Sequence, residues 1–279
     1  MGIHNGRLGG AALKDSAVEN GGGRAGFRTR LRSRATVFGA WTSFGHPGPT
    51  EIFAASGVDF VGIDLEHSTI SQEQAQRIIA ASHAAGVACL PRLAWHDGEA
   101  IKRLADSGAD GFIAPMVSTV AEIDQLVQWI KYPPRGRRSF GIARAQGYGV
   151  DFGDYTSAWN DRSTLVVQIE SVDGVENVEA IARHEDVDGL MIGPYDLSGS
   201  LGVPGQLDHP SMGDALKTVI AACKTAGKPC GTQLTAPDDR AVQRALADGY
   251  TFIVLASDVF VLWRWSEAMS LLIGRSRAK

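Results

Sequence analysis

Two carboxylates in this sequence each stand at the end of an apolar run. Glu170 closes Leu165-Val166-Val167-Gln168-Ile169, and Asp196 follows Gly189-Leu190-Met191-Ile192-Gly193-Pro194-Tyr195. Both runs read as short buried strands with a helical pattern between them. If the strands are parallel neighbours, both acids project at the same carboxyl edge of one sheet, where α/β proteins build their sites. Two carboxylates held close without a basic partner repel, unless they share a proton or a divalent cation. The pair is therefore a candidate metal site, although either acid alone reads as a loop opener, or in the case of Asp196 as a helix cap.

The elements that must position these acids alternate along the chain. The sequence predicts strands at 36–41, 59–64, 87–92, 110–115, 164–170, 187–192, 228–232 and 251–255, with amphipathic helical patterns between them. Gly86, Gly108, Gly227 and Gly249 each follow a helical run and precede an apolar strand, as left-handed C-caps do. Eight strands alternating with helices predict a single-domain (β/α)8 TIM barrel over residues 26–279. A doubly wound open sheet is the alternative, but no GxGxxG follows an early strand. A longer insertion from Tyr132 to Arg162 breaks the rhythm and carries Pro133-Pro134-Arg135-Gly136. Residues 1–25 are Gly-rich without apolar period and are expected to form a flexible tail. Arg28, Arg30, Arg32 and Arg34 then read as a solvated leader to the first strand.

Strand ends and the loops after them collect a polar ring. It comprises Trp41 and His46, then Asp64, Glu66 and His67, then Arg92, Pro115 and Met116, then Glu170, Asp196, Gln233, Ser257 and Asp258. His67 beside two acids fits an acid–base role, since a carboxylate can orient the ring, although a structural histidine is the plain alternative. Arg92 fits a bidentate clamp on a substrate carboxylate or carbonyl oxygen, or else a scaffold ion pair. Asp106 sits near the C-terminus of a helix, against its dipole, and requires compensation, for which a histidine is one candidate. His46, His83, His96, His184 and His209 read as surface or loop residues. The turn Gly193-Pro194 can aim the Tyr195 and Asp196 amides at a carboxylate. No lysine closes a strand on this rim, so a Schiff-base nucleophile is missing there.

The bulk numbers exclude several classes. The 279 residues are 44% hydrophobic and 21% charged, as in a globular protein with a large core, and the net charge of −4 disfavours nucleic-acid binding. No apolar stretch approaches the roughly 20 residues of a membrane span. Three cysteines (Cys89, Cys223, Cys230) with no CxxC pair suggest reduced thiols and a cytoplasmic location.

The segments Phe60-Val61-Gly62-Ile63-Asp64-Leu65-Glu66-His67, Pro91-Arg92, Ala114-Pro115-Met116-Val117, Tyr132-Pro133-Pro134-Arg135-Gly136, Gln168-Ile169-Glu170 and Ile192-Gly193-Pro194-Tyr195-Asp196-Leu197-Ser198 together resemble the HpcH/HpaI aldolase family of metal-dependent, class II pyruvate aldolases. The resemblance runs from about Phe27 to the last helix. It implies retro-aldol cleavage of a 4-hydroxy-2-oxo acid to pyruvate, or a related 2-oxo acid, and an aldehyde. It further implies Mg²⁺, Mn²⁺ or Co²⁺ on Glu170 and Asp196, with Gln168 beside the site. By the same resemblance His67 is the acid/base residue with Asp106 as its carboxylate partner, Arg92 contacts the pyruvate oxygen, and Gly193 to Asp196 form the carboxylate cradle. Trp41 is assigned to substrate binding, and Thr232, Gln233 and Leu234 to an aldehyde pocket. Family members resemble one another in a homo-oligomer, a trimer of dimers with the last helix swapped, and Phe260-Val261-Leu262-Trp263-Arg264-Trp265 is compatible with that. The alternatives are a CoA-thioester lyase of the malyl or citryl type, or a non-catalytic barrel serving as a binding module.

Overall fold

In a computed structural model describing residues 23–278, eight parallel strands pair in chain order and close into a barrel. They are β1 (Val37–Thr42), β2 (Phe60–Asp64), β3 (Ala88–Arg92), β4 (Gly111–Ala114), β5 (Thr164–Ile169), β6 (Gly189–Ile192), β7 (Cys230–Leu234) and β8 (Phe252–Ser257). β8 returns to β1 through the register Val37 to Phe252. The flexible-tail expectation lies outside the described residues as far as residue 22. Arg24 is already fixed, its amide donating to the Gly86 carbonyl.

Helix ends carry the caps that the sequence requires. Ser71 and Gln74 form a reciprocal capping box at the start of the helix Gln72–Ala84, satisfying two amides that have no intrahelical partner. Gly108, Gly227 and Gly249 end their helices with φ of 104°, 68° and 101°, values that favour glycine. The insertion from Tyr132 to Arg162 has regular elements of its own. It contains a 3-10 turn (Arg144–Gly149) and a helix (Phe152–Arg162) whose Trp159 is buried, its indole donating to the Ile130 carbonyl.

Strand alternation divides the core into two shells. On β5, Leu165, Val167 and Ile169 pack outward against helices, while Val166 packs inside the barrel. The same two-residue period turns Gln168 inward. Inside, Phe27, Leu31, Phe60, Trp41, Phe252 and Met191 belong to one buried cluster, with the Phe60 and Phe252 rings stacked at 4.7 Å. Two glycines make room for the largest rings. A Cβ on Gly39 would lie 2.2 Å from the Phe60 ring, and one on Gly62 would lie 2.2 Å from Trp41.

The arginine-rich segment is not a solvated leader. Residues Phe27–Arg32 form a helix, here α1, that lies across the amino end of the barrel and buries Phe27 and Leu31 on its inner face. Each such burial contributes roughly 2–3 kcal/mol. The arginines face aspartates that each directly precede a strand: Arg24 pairs with Asp110, Arg30 with Asp59, and Arg28 and Arg32 with fully buried Asp188. Each of these aspartates also accepts a backbone amide from the preceding strand or its edge, namely Phe38, Cys89 or Leu165.

Candidate active site

At the carboxyl end of the strands lies a cavity of about 300 Å³. It is lined by Trp41 and Ser43, Asp64 and His67, Arg92, Gln168 and Glu170, Met191 to Asp196, Gln233, Ser257, Val259 and Phe260. The inward phase of each strand delivers these groups: Trp41 closes the sequence Val37, Gly39, Trp41, and Arg92 closes Ala88, Leu90, Arg92.

Arg92 is the cation at the centre of this group. Its Nη2 lies 2.8 Å from Asp64 Oδ1, and its Nη1 lies 3.2 Å from Glu66 Oε2 without hydrogen-bond alignment. The guanidinium also stands 5.0 Å from the centre of the Trp41 ring, a cation–π distance. Asp64 holds the following loop as well, accepting the amides of Glu66 and His67 at 3.2 and 3.1 Å. His67 extends from that loop with its side chain 61% exposed, its Nε2 3.8 Å from Glu66 Oε2.

Glu170 is buried and forms no ion pair among the described residues. It accepts the Met116 amide at 2.8 Å and the Gln168 Nε2 at 2.8 Å. Met116 presents that amide from a left-handed backbone (φ 53°), a conformation that costs a non-glycine residue about 1–2 kcal/mol. Gly193 gives Glu170 its place, because a Cβ there would sit 1.9 Å from Glu170 Oε1. Burial pushes the Glu170 carboxyl up to about 7; the Met116 amide opposes the shift, and the charges of Glu66 and Asp196 add to it. Burial also raises Glu66 above its ordinary value. Gln168 Oε1 is buried beside Glu170 with no hydrogen-bond partner.

Asp196 lies at the cavity mouth, in the first turn of a short helix (Pro194–Ser200) whose N-cap is Gly193, so it sits inside the helix rather than capping it. Pro194 occupies the first helical position, where a missing N–H is harmless. No side-chain cap occupies the start of this helix, so the Tyr195 and Asp196 amides remain available. Among the described residues, no group of three or more His, Cys, Asp and Glu side chains forms a ready metal cage. The acid pair and the Gln168 amide oxygen are what the cavity offers to a cation.

Three expected site residues fall elsewhere. Asp106 does not reach His67 within the chain; its carboxylate takes a 2.7 Å hydrogen bond from Arg138 and borders a separate groove with Ser107, Ile142, Arg144 and Tyr148. Its helix (Gly98–Ser107) buries Ile101, Leu104 and Ala105, which turns Asp106 off the sheet-facing side. The compensation its position requires comes from arginine rather than histidine. Thr232 and Leu234 do not line the cavity either. β7 points Gly231 and Gln233 inward, so its alternate residues face outward, and Leu234 packs on the outer core. Trp41, Gln168, Gly193, Pro194, Tyr195 and Gln233 do line it.

Of the other histidines, His46 accepts the Gly48 amide at the start of a helix and His209 accepts that of Ser211. His96 meets the Pro115 carbonyl, while His83 and His184 lie beside aspartates. Sequence reasoning named Glu66 without giving it a contact to Arg92, and it passed over Ser43. Both follow a strand end by one or two residues, and that position was the available signal.

Comparison with known proteins agrees with this geometry. Residues 38–264 match the HpcH/HpaI aldolase/citrate lyase family model. The 5-keto-4-deoxy-D-glucarate aldolase of Shigella dysenteriae is 34% identical over 236 residues, covering 84% of this chain and 91% of that protein. A crystal structure of an HpcH/HpaI aldolase/citrate lyase family protein from Burkholderia cenocepacia superposes with a TM-score of 0.83 at 30% identity, covering 89% of this chain and 99% of that one. The HpcH/HpaI aldolase from Desulfitobacterium hafniense gives a TM-score of 0.80 at 28% identity, covering 88% and 95%. This chain belongs to the HpcH/HpaI aldolase/citrate lyase family and is an enzyme of the carbon–carbon lyase, aldolase type.

Proposed function

We propose that this enzyme cleaves and forms 4-hydroxy-2-oxo acids, with pyruvate or a close 2-oxo acid as one product and an aldehyde as the other. The observation that carries this reading is the pair Glu170 and Asp196 in one cavity, with Glu170 desolvated, pushed up to about 7 and in no ion pair among the described residues. An all-oxygen donor set of two carboxylates and the orphaned Gln168 oxygen suits a hard divalent ion such as Mg²⁺ or Mn²⁺, or Co²⁺. Once bound, such an ion supplies Lewis acidity to the oxygens of a 2-oxo acid.

The chain's own residues supply the rest. Arg92 is held by Asp64 and Glu66 and backed by Trp41, so its fork is oriented before substrate arrives. Its charge stabilises the enolate oxygen that develops when the carbon–carbon bond α to the carbonyl breaks. The Tyr195 and Asp196 amides are donors for the substrate carboxylate. His67, exposed at the cavity edge, takes the proton from the 4-hydroxyl during cleavage and returns it during synthesis.

Exposed apolar residues Val261, Leu262, Trp263, Trp265, Leu271 and Leu272 on the last helix (Asp258–Arg277) support a homo-oligomer in which another copy covers that helix; we assign this as the trimer of dimers with the helix exchanged. Residues 26–279 act as one catalytic domain in this reading. Among the described residues no helix is long and apolar enough to cross a membrane. The three free, buried cysteines fit a reducing cytoplasm.

The test is pyruvate release from a 4-hydroxy-2-oxo acid before and after chelation with EDTA, with Mg²⁺, Mn²⁺ or Co²⁺ then restored. Activity that survives thorough chelation would overturn the metal assignment. Arg92→Ala is expected to keep Mn²⁺ binding and to lower kcat by about 100-fold or more, in the range seen when one transition-state donor is removed. A wild-type kcat in that variant would remove Arg92 from the chemistry.

A further inference from the structure

Gln233 stands near the end of β7, two strands round the barrel from β5, which Glu170 follows, and it lines the same cavity. We propose that Gln233 selects the aldehyde, favouring one with an oxygen on the carbon beside the aldehyde carbon over its hydrocarbon counterpart. This rests on the aldolase reading above.

A single neighbour orients the Gln233 amide. Trp41 Nε1 lies 3.1 Å from Gln233 Oε1, and an indole nitrogen can only donate. That contact assigns the two ends of the Gln233 amide: the oxygen faces the indole, and the NH2 group faces elsewhere. Trp41 is itself immobile, 2% exposed, lying against Gly62 where a side chain would collide with its ring, with Arg92 over its face. The amide is therefore held by a fixed partner.

The NH2 end makes no hydrogen bond among the described residues, although Gln233 lines the cavity. β7 explains its direction, because Gly231 and Gln233 share the inward phase and the Gly231 Cα abuts the Phe252 ring. The cavity that Gln233 lines is also bordered by Ser43 and the apolar Met191, Val259 and Phe260. A pair of oriented N–H donors in a partly apolar recess binds a hydroxyl or carboxylate oxygen. An alkyl group placed there would strip the donors of water and return nothing.

The reaction balances without any further reagent. In the synthetic direction the methyl carbon of pyruvate loses a proton to the base and bonds to the aldehyde carbon, whose oxygen gains a proton. Gln233 takes no part in these bonds and acts on the substituent of the aldehyde.

The experiment compares two isosteric acceptors, glycolaldehyde and propanal, in Mn²⁺-supported addition of pyruvate. The measured quantity is the ratio of their kcat/KM values within each protein, so a general loss of activity in a variant cancels. Wild type is expected to prefer glycolaldehyde by about tenfold or more, a range typical of one well-made polar contact. Gln233→Leu removes both ends of the amide, whereas Gln233→Glu keeps an acceptor for Trp41 and removes the N–H donors. Both variants are expected to bring the ratio close to one. A ratio unchanged in Gln233→Glu, or a wild-type preference for propanal, would overturn the assignment. A parallel measurement on wild type, exchange of pyruvate methyl protons with deuterium, requires no aldehyde. Absent exchange would sink the aldolase reading itself, while normal exchange with unchanged ratios would sink the role of Gln233 alone.

Discussion

The two ends of this barrel both carry acids, but they treat them oppositely. At the amino end, Asp59, Asp110 and Asp188 each meet an arginine from a nine-residue stretch of chain and each accept a backbone amide. At the carboxyl end, Asp64, Glu66, Glu170 and Asp196 share one arginine, and it reaches the first two. The strands that supply the acids are largely the same. What differs is the charge balance: the lower ring is neutralised within the fold, whereas the upper ring retains an electrostatic deficit that a ligand can relieve. An acid matched by its own chain stabilises the fold, and an acid left unmatched in a cavity is available to function.

Breaking the lower ring is expected to give the largest effect. Asp188→Ala removes a fully buried carboxylate from Arg28, Arg32 and the Leu165 amide. A loss of about 3 kcal/mol in unfolding free energy, read from urea melts, is expected from breaking a buried pair. A stability within 0.5 kcal/mol of wild type would show that the ring contributes little.

The upper ring should respond to pH and to cations. With its ordinary value at 4.5 and its folded value at about 7, Glu170 binds more protons folded than unfolded between those limits. The metal-free protein should therefore lose stability as pH rises from about 4.5 to 7, by up to about 3 kcal/mol if Glu170 acts alone. Mn²⁺ should restore stability most strongly at the upper end of that window. In Glu170→Gln the slope should flatten, and a slope unchanged in that variant would detach the effect from Glu170. The smallest effect belongs to neither end. Arg183 and Glu179 form an exposed i,i+4 pair on the outer helices, and Arg183→Ala should change stability by about 0.3–0.5 kcal/mol.

Much of the upper end was legible because strand ends are local features. The apolar runs ending at Arg92 and Glu170, and the Gly193-Pro194 turn, locate their residues with no knowledge of distant contacts. The lower ring was not legible, since Arg28 and Asp188 are 160 residues apart. The alternate spacing of Arg28, Arg30, Arg32 and Arg34 also imitates an exposed strand, while burial of Phe27 and Leu31 follows a helical i,i+4 step. Thr232 and Leu234 stand outside the cavity because of strand phase. On a strand a one-residue choice decides which side chain enters the barrel. The contact of Asp106 with Arg138 was not legible, because Arg138 comes from the insertion, whose path the periodicity did not define.

The lower latch also has a consequence in time. A ribosome releases α1 well before its buried partner, since Asp188 emerges 160 residues after Arg28. At about 5–20 residues per second, that is a wait of roughly 10–30 s. During that interval Arg30 can find Asp59 and Arg24 can find Asp110, while the third anchor is still unmade. The anchoring of α1 is thus completed late, and closure of the barrel floor is tied to synthesis of the sixth strand.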